Sequence, residues 1–116
     1  MTSKVNYYFK SDGSLQYKAW RNENGQYHRE DGPALEYTDG RRCWYINGKR
    51  YREDGPAVEN SDGTRIWYKN GFLHRDDGPA IEYEDGRYSY YLNGKRYFKK
   101  EYLKEIEKIK KEIEDK

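Results

Sequence analysis

Three columns of ionisable residues recur at one interval and are the first place to look for chemistry. Arg29, Arg52 and Arg75 form one, Asp31, Asp54 and Asp77 a second, and Glu36, Glu59 and Glu82 a third, each stepping by 23 residues. Converging carboxylates could act as an acid and base pair or as oxygen ligands of a hard cation. Repetition argues against both, because a catalytic pair is made once and these positions recur in every unit. The pattern suits turn carboxylates that accept backbone N–H groups and an Arg–Glu ladder across strands. His28 and His74 share a column with Tyr51 and Tyr97. That column reads as a place for a planar side chain with a polar tip, without the spacing of metal ligands and without a Ser or Cys nucleophile beside either histidine. The single cysteine, Cys43, reads as a small buried residue in a reducing compartment. The glycines are scattered singly through turns and form no phosphate-binding loop. No catalytic residue, metal or cofactor follows from these patterns.

The elements that position these columns are set by the repeat itself. Asn-Gly falls at Asn24, Asn47, Asn70 and Asn93, and Asp-Gly-Pro-Ala begins at Asp31, Asp54 and Asp77, again with a step of 23 residues. Asp39-Gly40, Asp62-Gly63 and Asp85-Gly86 keep the same period. Asn-Gly and Asp-Gly suit type I′ hairpin turns, in which both central residues take positive φ. Asp-Gly-Pro-Ala marks a break between units, since proline offers no N–H to a ladder. The stretch Arg21 to Gly25 holds one residue more than its later copies, which predicts a bulge or looser turn. Between the turns lie short strands whose members align as Leu35, Val58 and Ile81, as Trp44, Trp67 and Tyr90, and as Tyr45, Tyr68 and Tyr91. Each column is expected on one face of the sheet.

The pattern changes at Phe98. Tyr102, Ile106, Ile109 and Ile113 fall at helical spacing, with Lys and Glu opposite, which predicts an amphipathic helix over 99–116 after a β-repeat domain over 1–98 of about three and a half repeats. The stripe is expected to cap the open end of the sheet, with Ile106 and Ile109 on side chains such as Tyr90 and Leu92. The alternative is a partner's groove or a second copy, giving a homodimer through the helix.

Only 34% of the chain is hydrophobic and 38% is charged, yet it holds 14 Tyr, 3 Trp and 3 Phe, so aromatic strands rather than disorder fit it. The 23 basic and 21 acidic residues leave a formal charge of +2, too little to steer the chain to nucleic acid or anionic lipid. No stretch has the length and apolarity of a membrane span or secretory leader, and the chain reads as cytoplasmic with no membrane partner.

The period, the aromatic followed by Asn-Gly-Lys, and the later Asp-Gly before the next aromatic strand resemble MORN repeats over roughly residues 17–97. The Gly-x-Gly segment of that family is replaced here by Arg-Glu-Asp-Gly-Pro-Ala and variants, and the strand glycine before Trp is missing, as in a divergent branch of bacterial, phage or large-virus type. The resemblance implies a mainly β fold, an elongated antiparallel β-meander or hairpin-repeat solenoid, and a scaffold or binding surface rather than an enzyme. The expected function is a non-enzymatic module that binds another protein, in a phage or bacterial setting an inhibitor of a host or defence enzyme. Its binding-surface candidates are Trp44, Trp67, Tyr45, Tyr68, Tyr91, Arg52 and Arg75, residue types enriched at interface hot spots. The alternative is single-stranded nucleic-acid binding, with rings stacking on bases and Lys or Arg tracking phosphates.

Overall fold

Short strands bounded by Gly, Pro, Asn and Asp dictate a meander, and the computed structural model, which describes residues 2–115, is mainly β with one C-terminal helix. The strands are β1 Lys4–Phe9, β2 Leu15–Arg21, β3 Leu35–Tyr37, β4 Arg42–Cys43, β5 Tyr45–Ile46, β6 Lys49–Arg50 and β7 Val58–Glu59. They continue as β8 Arg65–Ile66, β9 Tyr68–Lys69, β10 Phe72–Leu73, β11 Ile81–Glu82, β12 Tyr88–Leu92 and β13 Lys95–Tyr97, followed by helix α1 Lys99–Glu114. Nine strands form one antiparallel sheet in the order β1-β2-β3-β4-β7-β8-β11-β12-β13, and β5-β6 and β9-β10 form separate two-stranded hairpins beside it.

Register follows side-chain alternation. Ala19 faces Leu35, Leu35 faces Cys43, Cys43 faces Val58, Val58 faces Ile66, and Ile66 faces Ile81, so the aliphatic residues make one row across the sheet. Ala19, Leu35, Cys43 and Val58 are the buried centre, with Tyr8, Tyr17, Tyr27, Tyr37, Tyr45, Ile66 and Tyr68 packed against them. Cross-strand pairs of this kind contribute roughly 0.2–1 kcal/mol each, so the sheet is held by many modest contacts. Leu35, Val58 and Ile81 therefore share one face, as alternation predicts, and Cys43 is buried with its thiol pushed up by burial.

The turns divide into two kinds. Asn47 and Gly48 have φ of 49° and 80°, and Asn70 and Asn93 repeat this, so the Asn-Gly turns of three units carry positive φ at both central residues. In the Asp-Gly turns only the glycine does, which corrects the expectation of type I′ there. The aspartate side chain instead accepts the amide two residues on, as Asp39 does from Arg41, Asp62 from Thr64 and Asp85 from Arg87. The loop at Asn22 to Gln26 is of this second kind: Asn24 is not at positive φ, and the Asn22 carboxamide oxygen accepts the Asn24 and Gln26 amides. The extra residue does loosen that turn.

Neighbouring hairpins also meet. Arg29 N–H donates to the Tyr45 carbonyl, Gly48 N–H to that of Tyr27, and Asn47 N–H to His28 Nδ1 at 3.0 Å. The same three bonds recur with Arg75 to Tyr91, Gly94 to Leu73 and Asn93 to His74 Nδ1 at 2.9 Å. At the intervening seam Tyr51 stands in the histidine column, and among the described residues no such bond joins Arg50–Arg52 to Tyr68–Gly71. The histidine column is thus a hydrogen-bond acceptor between units, made twice and interrupted once.

Helix α1 packs on β12 and β13 at the end of the sheet. Tyr102 and Ile106 are buried with Leu92, and Tyr90 and Tyr97 pack beside them. The Tyr102 hydroxyl donates to the Arg75 carbonyl at 2.5 Å and accepts the Gly78 amide at 3.1 Å, which ties the helix to the preceding unit. The docking reaches only the first two turns. Ile109 is 36% and Ile113 64% exposed, so the expectation that Ile109 would be buried is corrected: the helix runs on past the sheet.

Candidate functional site

Strand alternation sorts the ionisable residues onto two faces. Lys18 pairs with Glu36, Glu36 with Arg42, Arg42 with Glu59, Glu59 with Arg65, and Arg65 with Glu82, an unbroken alternation of charge on the face away from the aliphatic row. On this face the three columns singled out in the sequence come together. The guanidinium carbon of Arg29 lies 3.8 Å from the ring centre of Trp20, that of Arg52 3.9 Å from Trp44, and that of Arg75 3.8 Å from Trp67. Each arginine also donates to the carbonyl of its own Pro33, Pro56 or Pro79 and to Glu36, Glu59 or Glu82.

The same brackets explain the glycine of Asp-Gly-Pro-Ala. A Cβ at Gly55 would lie 2.9 Å from Cζ of Arg52, so the guanidinium fits between indole and backbone only if the side chain is absent. The aspartates of that motif take the arginine Nε, at 3.1 Å for Asp31 and 3.0 Å for Asp77. This corrects the expectation that they cap backbone amides; the Arg and Glu columns do meet, but from loop to strand seven residues apart, and the cross-strand partners of the glutamates are Arg42 and Arg65. A shallow cleft of about 750 Å³ on this side is lined by Arg52, Arg65, Lys69 and Arg75 but also by Glu53, Asp54, Asp76 and Asp77, so its charges answer one another.

The opposite face carries the aliphatic row between two rows of Tyr and Arg. In one, Tyr8 and Tyr17 stack at 4.4 Å, Tyr17 and Tyr37 at 4.9 Å, and the Arg41 guanidinium lies 3.7 Å over the Tyr37 ring. In the other, Arg21 is held by the hydroxyl of Tyr8 and lies over the ring of Tyr27, while Arg50 donates to the hydroxyls of Tyr45 at 3.3 Å and Tyr68 at 2.8 Å. Burial works against the charge of Arg50, but the two tyrosine hydroxyls outweigh it and hold its pKa above the ordinary value. At Arg21 the hydrogen bond to Tyr8 raises the pKa. Burial raises the Tyr37 hydroxyl.

The candidates chosen from sequence therefore separate. Trp44, Trp67, Arg52 and Arg75 lie on the charge-alternating face, where each indole already carries a guanidinium. Tyr45 and Tyr68 lie on the other, joined through Arg50, and Tyr91 pairs with Arg96 at the matching position of the last hairpin. Sequence reasoning missed Arg21, Arg41 and Arg50, together with the stack of Tyr8, Tyr17 and Tyr37. Reading every second residue from Cys43 would have found Arg41 and Tyr45 on the same face. Among the described residues no three His, Cys, Asp or Glu side chains gather where they could hold a metal ion, and no helix is long and apolar enough to cross a membrane. No family model, curated protein or solved structure matches this chain.

Proposed function

We propose that the chain is a non-enzymatic β-hairpin-repeat module, MORN-like in its period, that binds another protein as an inhibitor or scaffold. The observation that carries this reading is the broad sheet face on which half-buried tyrosines surround Arg21, Arg41 and Arg50, which among the described residues make no ion pair. The molecule measures 54 × 35 × 18 Å, so this face is wide relative to the thickness behind it. Tyr and Arg are residue types that anchor protein interfaces, because they combine apolar area with directed polar groups. Single-stranded nucleic acid is less well served. Base stacking needs free ring faces, and here indoles are occupied by arginines and the rings of Tyr8, Tyr17 and Tyr37 by one another.

Affinity capture with the tagged chain from cells of its source, with and without nuclease, tests the proposal. Recovery of the same protein under both conditions is expected. Recovery lost on nuclease treatment would transfer the reading to nucleic acid.

A further inference from the structure

The chain has 21 acidic residues, yet the strand positions of the tyrosine face hold none of them. The row through the aliphatic residues runs Ala19, Leu35, Cys43, Val58, Ile66 and Ile81, ending on Ser89. The row of Tyr8, Tyr17 and Tyr37 continues through Arg41, and Tyr83 lies opposite Arg87 further along. On the far side of the aliphatic row, Arg21 pairs with Tyr27, Arg50 with Tyr45, and Arg96 with Tyr91. Arg87 is matched by Asp85 of its turn, but Arg21, Arg41 and Arg50 make no ion pair among the described residues. The turn aspartates Asp12, Asp39 and Asp62 accept amides within their own turns. Among the described residues Arg41 Nε is buried with no hydrogen-bond acceptor.

We infer that the Arg21, Arg41 and Arg50 face docks an acidic segment of a partner protein, its carboxylates taken by these guanidinium groups and the tyrosine hydroxyls around them. This rests on the protein-binding reading above and adds where the contact is and what chemistry it needs. Charge complementarity carries it: one face neutralises itself with alternating Arg and Glu, while the other keeps three arginines whose neighbours are phenols. A guanidinium offers a planar fork of donors that matches a carboxylate in two bonds, and the nearby hydroxyls supply further donors. At the strand positions of this face a segment rich in Asp or Glu meets no like charge, the aspartates being confined to the turns. Tyr8, Tyr17 and Tyr37 cover one another's faces by stacking, an arrangement that suits carboxylates at their hydroxyls better than bases between their rings.

The test is a titration at low salt with a short poly-L-glutamate peptide and, separately, with oligo(dT). The proteins are the intact chain and the variants Arg41→Gln, Arg50→Gln and Arg42→Gln, which lose one equal charge each. Circular dichroism and thermal melting check that each is folded. A charge-assisted hydrogen bond of this kind accounts for roughly tenfold in affinity, so Arg41→Gln and Arg50→Gln should each weaken peptide binding by about that factor. Arg42→Gln, on the other face, should change it by less than about twofold, as a screened distant charge does. Equal losses in all three variants, or no peptide binding by the intact chain, overturn the inference. So does oligo(dT) binding in place of peptide binding, which overturns the protein-binding reading with it. A captured protein partner that holds Arg41→Gln and Arg50→Gln as tightly as the intact chain removes this surface and leaves that reading standing. Where a variant fails to fold, peptide titration of the intact chain followed by tyrosine and tryptophan side-chain resonances decides between the two faces.

Discussion

The two faces of one sheet are built from the same repeat and end with opposite electrostatics. On one, Glu36, Arg42, Glu59, Arg65 and Glu82 alternate directly across neighbouring strands, and the Trp rings are closed by Arg29, Arg52 and Arg75. On the other, Arg21, Arg41 and Arg50 meet tyrosine rings and hydroxyls, and only Arg87, among the described residues, is matched by an aspartate of its own turn. A chain with a formal charge of only +2 therefore conceals one face that is balanced and one that is cationic. Net charge describes the whole molecule; alternation decides what a partner meets.

Substitutions that blur the difference should cost most where they place the wrong chemistry in the aliphatic row. Val58→Asp sets a carboxylate among Cys43 and Ile66 without a bonding partner, and chemical denaturation should show a loss of at least about 3 kcal/mol. Removing packing from the capped end comes next. Ile106→Ala should lower stability by about 2–3 kcal/mol because Ile106 is buried with Leu92 and Tyr102, whereas Ile113→Ala should stay within about 0.5 kcal/mol. Melting curves of the two variants separate a cap from a passive tail.

The balanced face is breached more gently by Gly55→Ala. Its Cβ displaces the Arg52 guanidinium from Trp44, and a loss of about 1–2 kcal/mol should accompany a shift in the Trp44 indole signal. Glu59→Gln removes the charge shared by Arg42 at 2.7 Å and Arg52 at 3.2 Å and should cost about 1 kcal/mol, less at high salt.

The smallest effect belongs to the tyrosine face and to the cap, at alkaline pH. Burial raises Tyr37, Tyr102 and Cys43 above their ordinary values. The unfolded chain then releases these protons first, so the stability they contribute is present below the ordinary values and is lost as pH rises through the folded ones. Melting temperature should decline from about pH 9 upward, and Tyr37→Phe should flatten part of that decline.

Much of this was legible in the sequence because turns and alternation are local. The Asn-Gly turns, the shared face of Leu35, Val58 and Ile81, the meeting of the Arg and Glu columns and the helix after Phe98 follow from spacing alone, whereas the cross-strand partners Arg42 and Arg65 do not. The Asp-Gly turns were misread because Asp and Asn both tolerate positive φ, and only the amide two residues on shows that Asp39 works through its side chain. The role of the Asp-Gly-Pro-Ala glycine was hidden, since it depends on Arg52 folding back over Trp44. His28 and His74 gave a planar column but not the bond to the next unit's Asn, a contact 19 residues away. Ile109 was placed in the cap because periodicity sets which side of a helix is apolar, not where the sheet beneath it stops. Sorting Trp and Tyr candidates by parity was within reach of the sequence, and grouping them by residue type obscured it.

All three tryptophans, Trp20, Trp44 and Trp67, stand beneath arginines of the balanced face, so their indole N–H signals report that face alone. The most direct measurement follows side-chain resonances of the intact chain by NMR during titration with poly-L-glutamate. Shifts of the Arg41 and Arg50 Nε signals and of the Tyr37, Tyr45 and Tyr68 rings, with the three indole signals unmoved, are the predicted result. Indole shifts with the tyrosine rings unchanged would contradict the account.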